Sequence, residues 1–256
     1  MALSSYRYLT IEPHHVPSLA EAIGEAFRGD EISNALGDTD EDLLEWGRDD
    51  APKYLRSRLT VVAVEPSSEL VVGFATVHEL AYMIDTVNTT VGTVGRGYIG
   101  DHYVAALLSR NFTFYVDHVL PDSLRLPVAA DEQPLRDLVA QPIHARVVPD
   151  TCAYLDLLGV RAEYRRQGIA KRAVEAALDV AKQRGLQRMI LIATSIGSQA
   201  LFGGSTFANA TDASKPYRFT RLHSVPYHEF VVPLDGSRPF GGITNPPQSE
   251  LFECIL

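Results

Sequence analysis

Along the chain, short runs with strand periodicity alternate with longer runs of helical periodicity. Residues 6–11 alternate and are rich in β-formers, which predicts a first strand. From Pro17 the spacing of Leu19, Ile23, Ala26 and Phe27 gathers apolar side chains on one face of a helix, which ends in Arg28-Gly29-Asp30-Glu31. Residues 38–50 hold seven acids around Leu43, Leu44 and Trp46, the pattern of a solvated helix with one buried stripe. Leu59 to Val64 and Leu70 to Val77 are apolar runs joined by Glu65-Pro66-Ser67-Ser68-Glu69, which predicts a hairpin. The stretch from Ala81 to Asp150 is too long for a plain loop in a compact domain. It is expected to carry helices of its own, one of them over Tyr103 to Ser109, beside a Gly/Thr-rich run (91–100) and a tail punctuated by Pro121, Pro127, Pro134 and Pro142.

Ala153 to Val160 reads as the next strand. A helix then runs from Ile169 to Arg184, with Ile169, Ala173, Val174, Ala177 and Ala181 on its apolar face and Gly185 as its stop. Met189 to Ala193 is continuously apolar, as a strand covered on both faces is. Ser198 to Phe202 begins another helix, and Tyr227 to Val232 is a strand candidate. This alternation gives an α/β fold.

With 256 residues, 46% of them apolar, the chain has material for one large domain or one domain with an insertion. No apolar run approaches a membrane span, and the N-terminus lacks a signal-peptide core, so no membrane partner is expected. Cys152 and Cys254 have neither metal-ligand spacing nor a disulfide framework, which makes a reduced, cytoplasmic setting the default and predicts no metal. A net charge of −9 argues against a nucleic-acid partner and is compatible with a cationic substrate.

Between the strand at 153–160 and the helix from Ile169 lies a short basic turn, Arg161-Ala162-Glu163-Tyr164-Arg165-Arg166-Gln167-Gly168. Such a turn presents unpaired N–H groups at the positive end of a helix, which suits a phosphate or pyrophosphate. Arg165, Arg166 and Lys171 add charge, and Gly168 lets an anion approach the backbone. The turn has neither the Walker pattern nor the three glycines of the dinucleotide fingerprint. Its Arg165-x-x-Gly168-x-Ala170, preceded by "LLGVRAEY", resembles the acetyl-CoA pyrophosphate loop of the GNAT superfamily of N-acetyltransferases.

That resemblance implies a single acetyltransferase domain over residues 1–256 with an insertion at about 81–150. The implied fold is a mixed, mostly antiparallel sheet flanked by helices, with its fourth and fifth strands splayed. It also implies acetyl-CoA as co-substrate, held by Leu158, Val160, Arg165, Arg166, Gln167, Gly168, Ile169, Ala170 and Lys171. Thr194 to Phe207 resembles the family's following segment, but Phe202 stands where many members have the tyrosine that protonates the leaving thiolate. The arylalkylamine (dopamine-type) group also lacks that tyrosine and uses hydroxyls that match Thr194 and Ser198. Phe27-Arg28-Gly29-Asp30-Glu31 resembles that group's Phe-x-x-Asp-Glu-Pro segment, whose glutamate is the general base, and Tyr227 to Phe240 resembles its tail. The resemblance therefore implies transfer of acetyl to a small primary amine, arylalkylamine or polyamine-like, by direct attack, with Glu31, Ser198 and Thr194 as catalytic candidates. Other readings of the same residues are a solvated acid at Glu31 and a helix cap at Ser198. At the level of function they are an acetyltransferase for peptide or protein amines and a non-catalytic acetyl-CoA-binding module. Of the scattered histidines, His118 (beside Asp117) and His228 (beside Tyr227) are the first to inspect.

Overall fold

A computed structural model describes residues 6–92, 99–127, 145–232 and 235–256. Its main sheet has the order β1 (Arg7–Thr10), β2 (Val61–Val64), β3 (Val71–Glu79), β6 (Cys152–Val160), β7 (Arg188–Ala193), β11 (Gln248–Ile255), β10 (Thr220–Pro226). Every neighbouring pair is antiparallel except β6 with β7. Two further sheets have two antiparallel strands each, β4 (Arg125–Pro127) with β5 (Ala145–Val147) and β8 (Thr206–Phe207) with β9 (Tyr217–Arg218). The helices are α1 (Val16–Phe27), α2 (Glu31–Leu36), α3 (Asp40–Asp50), α4 (Leu80–Gly92), α5 (Ile99–His118), α6 (Ile169–Gln183) and α7 (Ile196–Gly204).

Alternation along the strands divides the core. On one face of the sheet, Val62, Val64, Val71 and Phe74 pack against α1, and Tyr154, Ile190, Ile192 and Leu251 pack against α4 and α5. On the other face, Val61, Ala75, Ala153 and Leu155 meet Ala173, Val174, Ala177, Leu178 and Ala181 of α6. Full burial of Val174 and Leu178 contributes about 1.5–3 kcal/mol each, which fixes α6, and with it the turn that precedes it, against the sheet.

The predicted strands at 6–11, 59–64, 70–77, 153–160 and 189–193 and the helices from 17 and 169 all form. The segment between β3 and β6 carries α4 and α5, and the helix expected at 103–109 is the middle of α5. The candidate strand at 227–232 is not one. Pro226 ends β10, and the backbone N–H groups of Glu229 and Phe230 return to the Pro226 carbonyl in a turn. Tyr227, Phe230 and Val232 are buried together with Phe240 and with Ala106 and Leu107 of α5. Their burial comes from folding back on α5, which local alternation does not encode. The true last strand is β11, which enters between β7 and β10 and makes a non-local pairing at both edges. Among the described residues, no helix is long and apolar enough to cross a membrane.

Candidate functional site

The β6–β7 ladder runs from Cys152–Arg188 to Leu155–Leu191 and stops there, although β6 continues to Val160 and β7 to Ala193. Beyond Leu155 the two parallel strands part, while β6 stays paired with β3 on its other side. The Arg161 N–H donates to the Val72 carbonyl (2.9 Å) beside the Gly73–Val160 pair. Gly73–Val160 is therefore a non-hydrogen-bonded pair, and by alternation so is Ala75–Leu158. It follows that Leu158 and Val160 turn their backbone N–H and C=O groups away from β3, toward the gap.

The gap leads into the start of α6. Gly168 is the N-cap residue at φ +75°, with no side-chain cap, whereas α2, α3 and α7 are capped by Asp30, Thr39 and Ser195. A Cβ at Gly168 would meet nothing within 4 Å, so the side-chain side of this N-cap is open, and the first-turn N–H groups lack intrahelical partners. Arg166 is also left-handed (φ 62°), and Arg165, Arg166, Gln167 and Gly168 are exposed, with Ala170 and Lys171 half-buried and Ile169 buried as the anchor. The Tyr6 hydroxyl ties down Gln167 (2.9 Å). Arg165 folds back, with its guanidinium donating to the carbonyls of Val160 and Ala26 (both 3.2 Å). It braces the turn against the end of α1 rather than extending from it.

Arg161, the first residue of the basic turn, is only 5% exposed. It donates to the carbonyls of Val71 (2.8 Å) and Ser18 (3.2 Å) and to the carboxylates of Glu25 (2.7 Å) and Glu21 (3.2 Å). The end of β6 is thereby pinned to both β3 and α1. Gly159 permits the close contact, since a Cβ there would lie 2.6 Å from Ala26 Cβ and 2.4 Å from the Phe74 ring.

Glu31 is the first residue of α2, not an acid trailing α1. Asp30 caps that helix by accepting from the Ile32 N–H (3.0 Å). Burial raises the Asp30 carboxyl above its ordinary range, with the Glu31 charge adding to the effect. Both carboxylates act on Tyr227, whose phenol is raised first by burial and then by their charges. The Tyr227 hydroxyl donates to the Thr194 carbonyl at the end of β7 (3.1 Å). The fold thus brings Asp30, Glu31, Tyr227 and Thr194 into one neighbourhood, from three separate places in the sequence.

At α7 the N-cap is Ser195, and Ser198 completes the capping box, each hydroxyl accepting the other's backbone N–H at 3.2 Å. The Ser198 hydroxyl also donates to the Ser195 carbonyl (2.9 Å). Phe202 is buried in an aromatic cluster with Phe207, Phe219 and Phe252, so its ring is a packing element.

Sequence reading missed a polar group in the central strand. Between Leu155 and Leu158, β6 has one residue more than β3, a bulge in which Asp156 and Leu157 together oppose Thr76. The Thr76 hydroxyl fills the bulge, accepting from the Leu157 N–H (2.9 Å). Asp156 receives the Tyr54 hydroxyl (2.8 Å), and His78 Nε2 lies 3.9 Å from the same carboxylate oxygen. Burial lifts the Asp156 carboxyl to about 7. Burial, then the Lys53 charge, lowers His78 to about 4, so the imidazole is neutral at pH 7. The signal was present in the sequence as one acid inside the otherwise apolar run 153–160.

The two histidines marked for inspection lie elsewhere. His228 is 70% exposed beside Glu229 (3.5 Å), and His118 is an exposed neighbour of Phe114. His14, His15 and Glu69 bring ligand-type atoms within 4.8 Å of one another, a grouping the sequence did not announce. His15 Nδ1, however, accepts from the Glu12 N–H (3.0 Å), which puts the ring proton on Nε2, and Glu69 is paired with Arg7. This donor set does not suit a metal ion.

A profile of the acetyltransferase (GNAT) family matches residues 134–203, which span the diverging strand, the turn and most of α7. Among curated proteins, none matches by sequence. Solved structures match over nearly the whole chain. A mosquito arylalkylamine N-acetyltransferase like 5b is 13% identical with a TM-score of 0.67, covering 98% of this chain and 100% of its own. The Drosophila melanogaster polyamine N-acetyltransferase, which forms N-acetylagmatine, is 14% identical with a TM-score of 0.61, covering 98% and 99%. The C-terminal condensation domain of Ebony, in complex with β-alanyl-dopamine, is 15% identical with a TM-score of 0.62, covering 98% and 99%. At these identities the likeness establishes the fold.

Proposed function

We propose that this chain, which has the GNAT fold and carries the GNAT acetyltransferase segment, is an acetyl-CoA-dependent N-acetyltransferase of small primary amines. The observation that carries the proposal is the continuous path from the backbone groups of Leu158 and Val160 in the strand gap to the uncapped first turn of α6 at Gly168. The residues fit the co-substrate. A pantetheine arm can hydrogen-bond along the exposed edge of β6, and a pyrophosphate can take the free N–H groups from Gly168 to Lys171, with Arg166 and Lys171 supplying charge. Bound there, acetyl-CoA supplies an activated thioester.

The amine sets the remaining demand. An alkylammonium has a pKa of roughly 10, so at neutral pH it is almost wholly protonated and non-nucleophilic. Glu31, half-exposed at the start of α2 with Asp30 beside it, attracts the cation and takes its proton, directly or through water. Holding the neutral nitrogen against the thioester in one ternary complex supplies much of the rate. Ser198, in the first turn of α7, and Thr194, at the end of β7, are the hydroxyls assigned here to protonate the departing thiolate, since Phe202 carries no phenol. A small amine is favoured over a peptide because Ile32 of α2, Leu107 of α5, Tyr227 and Phe240 pack into one apolar cluster beside the Asp30 and Glu31 carboxylates, which leaves less room for an extended chain. The arylalkylamine and polyamine activities named for the similar structures support the same substrate class. The net charge of −9 fits a cationic substrate better than a nucleic-acid partner.

Glu31→Gln is expected to lower turnover at pH 7 by about 10²-fold or more and to lose less at pH 9, where more amine is already neutral. Its acetyl-CoA affinity is expected to match that of the unmodified protein. Superimposable pH profiles would remove Glu31 from proton transfer. Ser198→Ala is expected to lower turnover toward the small end of the same range, about 10²-fold, because a thiolate leaves without much help. Ser195→Ala is the control. It removes the cap at a cost of about 1 kcal/mol with little change in rate. A Ser198→Ala protein that melts lower but keeps full activity would make Ser198 a capping residue only.

A further inference from the structure

We propose that Gln199 is a positioning residue whose side-chain amide stands in for a missing rung of the β7–β11 ladder and so holds the first turn of α7, with Ser198 on it, in its working place. The inference rests on the acetyltransferase reading and adds a residue that acts through Ser198 without touching either substrate.

The ladder shows where the rung is lost. The Leu256 N–H donates to the Gln187 carbonyl (3.0 Å), which makes that pair a hydrogen-bonded one and, by alternation, Ala193–Glu250 as well. Toward β10, β11 uses its odd-numbered positions at this end, since the Tyr227 N–H donates to the Pro247 carbonyl (3.0 Å). Gln248 therefore turns its carbonyl toward β7, where Ser195 is the next residue in register. Ser195 does not supply the donor. It is the N-cap of α7, and its N–H donates to Ser198 Oγ (3.2 Å). The Gln248 carbonyl is left without its strand partner, which is costly unless another donor takes it.

Gln199 takes it. Its Nε2 donates to the Gln248 carbonyl at 2.7 Å and to the Ala193 carbonyl at 3.3 Å. Both partners are carbonyl oxygens, so only the NH₂ end of the amide, with its two N–H donors, can face them. One side chain thus bridges the last residue of β7 and the first residue of β11. Gln248 is itself fixed, because its own amide donates to Glu250 Oε1 (3.0 Å), and that 7% exposed carboxylate also receives Arg221 (2.8 Å).

The first turn of α7 depends on these bonds because it has no apolar anchor. Ile196 is 44% exposed and Gly197 is exposed, and the buried residue of the helix, Phe202, lies well past them. The capping box joins Ser195 and Ser198 to each other and not to the sheet. Among the described residues, the two Gln199 bonds are the hydrogen bonds that tie this turn to β7 and β11. Ser198 precedes Gln199 directly, so its hydroxyl moves with the turn. A displacement of about 1 Å at a reacting group is enough to cost about 10² in rate.

The test uses the full chain with acetyl-CoA and a primary amine that it turns over. Gln199→Met keeps most of the volume and removes both donors. It is expected to lower kcat by about 10–10²-fold and to leave acetyl-CoA affinity within about twofold. In a Ser198→Ala background the same change is expected to cost less than about twofold, because the group it positions is gone, whereas a merely structural bond costs the same factor in both backgrounds. Gln199→Glu has nearly the same shape, but at pH ~8 its carboxylate offers only acceptors to the two carbonyls, and on protonation toward pH ~5 it regains one O–H donor. Its rate relative to the unmodified protein is therefore expected to recover as the pH falls, while that of Gln199→Met stays flat. Unchanged kcat in Gln199→Met, equal losses in the two backgrounds, or no recovery in Gln199→Glu would overturn the assignment. Amide hydrogen exchange separates this outcome from failure of the acetyltransferase reading. Gln199→Met is expected to speed exchange of the amides at Ser198 and at position 199 by about tenfold, and unchanged exchange would overturn the anchoring. An unmodified protein that binds acetyl-CoA and acetylates no amine in a panel would refute the reading, and the exchange rates would still decide whether Gln199 holds the turn.

Discussion

Gly168→Val is expected to leave the protein folded and to weaken acetyl-CoA binding by about 100-fold, an estimate that combines a left-handed strain of about 1–2 kcal/mol with at least one lost charge-assisted hydrogen bond. Gly168 has φ +75°, which a β-branched residue adopts only at considerable cost. The turn would relax by rotating its N–H groups away from the direction in which they now converge. The open space around the Gly168 Cα also means that a valine side chain would project where the pyrophosphate is proposed to lie, instead of being absorbed by neighbouring protein. Because no core atom is within 4 Å of that direction, the cost to stability is the left-handed strain alone, which lowers Tm by about 2–8 °C. Titration calorimetry with acetyl-CoA and a thermal melt on one preparation decide the matter. Wild-type affinity in a folded Gly168→Val protein would sink the assignment of this turn.

Arg161→Met is expected to be the most destabilising single change near the site, by about 3 kcal/mol, which for a chain of this size lowers Tm by about 6–12 °C. Its guanidinium holds two backbone carbonyls and two carboxylates from β3 and α1. Methionine replaces the stem and none of these bonds. Glu21 and Glu25 are partly exposed (61% and 34%) and can be rehydrated, which keeps the cost near the lower end for a broken buried ion pair. The carbonyls of Val71 and Ser18 are the groups left wanting. Acetyl-CoA affinity is expected to fall as well, since Arg161 directly follows Val160 and fixes the far end of the gap. A melt within 2 °C of the unmodified protein, in a folded variant, would mean that α1 and β3 hold this end without it.

These two residues illustrate different kinds of legibility. Gly168 could be read directly as the turn residue that opens α6, because its left-handed conformation is one that glycine adopts without strain. Arg161 could be read as basic but not as buried, and its carboxylate partners at Glu21 and Glu25 stand on a helix far back in the chain. Ser198 marks the right helix but not its cap, because Ser195, three residues earlier, takes that position and Ser198 is its capping-box partner. Asp156 was visible as an acid in an apolar strand. Its meaning depended on the bulge opposite Thr76, which exists only once β3 and β6 are paired.

What the sequence by itself determined is everything set by local periodicity and local backbone chemistry. This covers the strands at 6–11, 59–64, 70–77, 153–160 and 189–193, the helices from 17 and 169, and the glycine-ended basic turn between residues 161 and 168. Each depends on interactions within a few residues, where alternation, helical spacing, a left-handed glycine and unpaired N–H groups leave little choice. What only the tertiary structure decided is which strand edge stays unpaired and which acids meet. The β6–β7 gap exists because β11 binds β7 on its outer side while β6 follows β3, a competition between pairings distant in sequence. Asp30 and Glu31 reach Tyr227 and Thr194 because a buried apolar cluster draws α2, α5 and the segment after β10 together. Hydrophobic burial carries no address along the chain, so this meeting of charges was decided by packing.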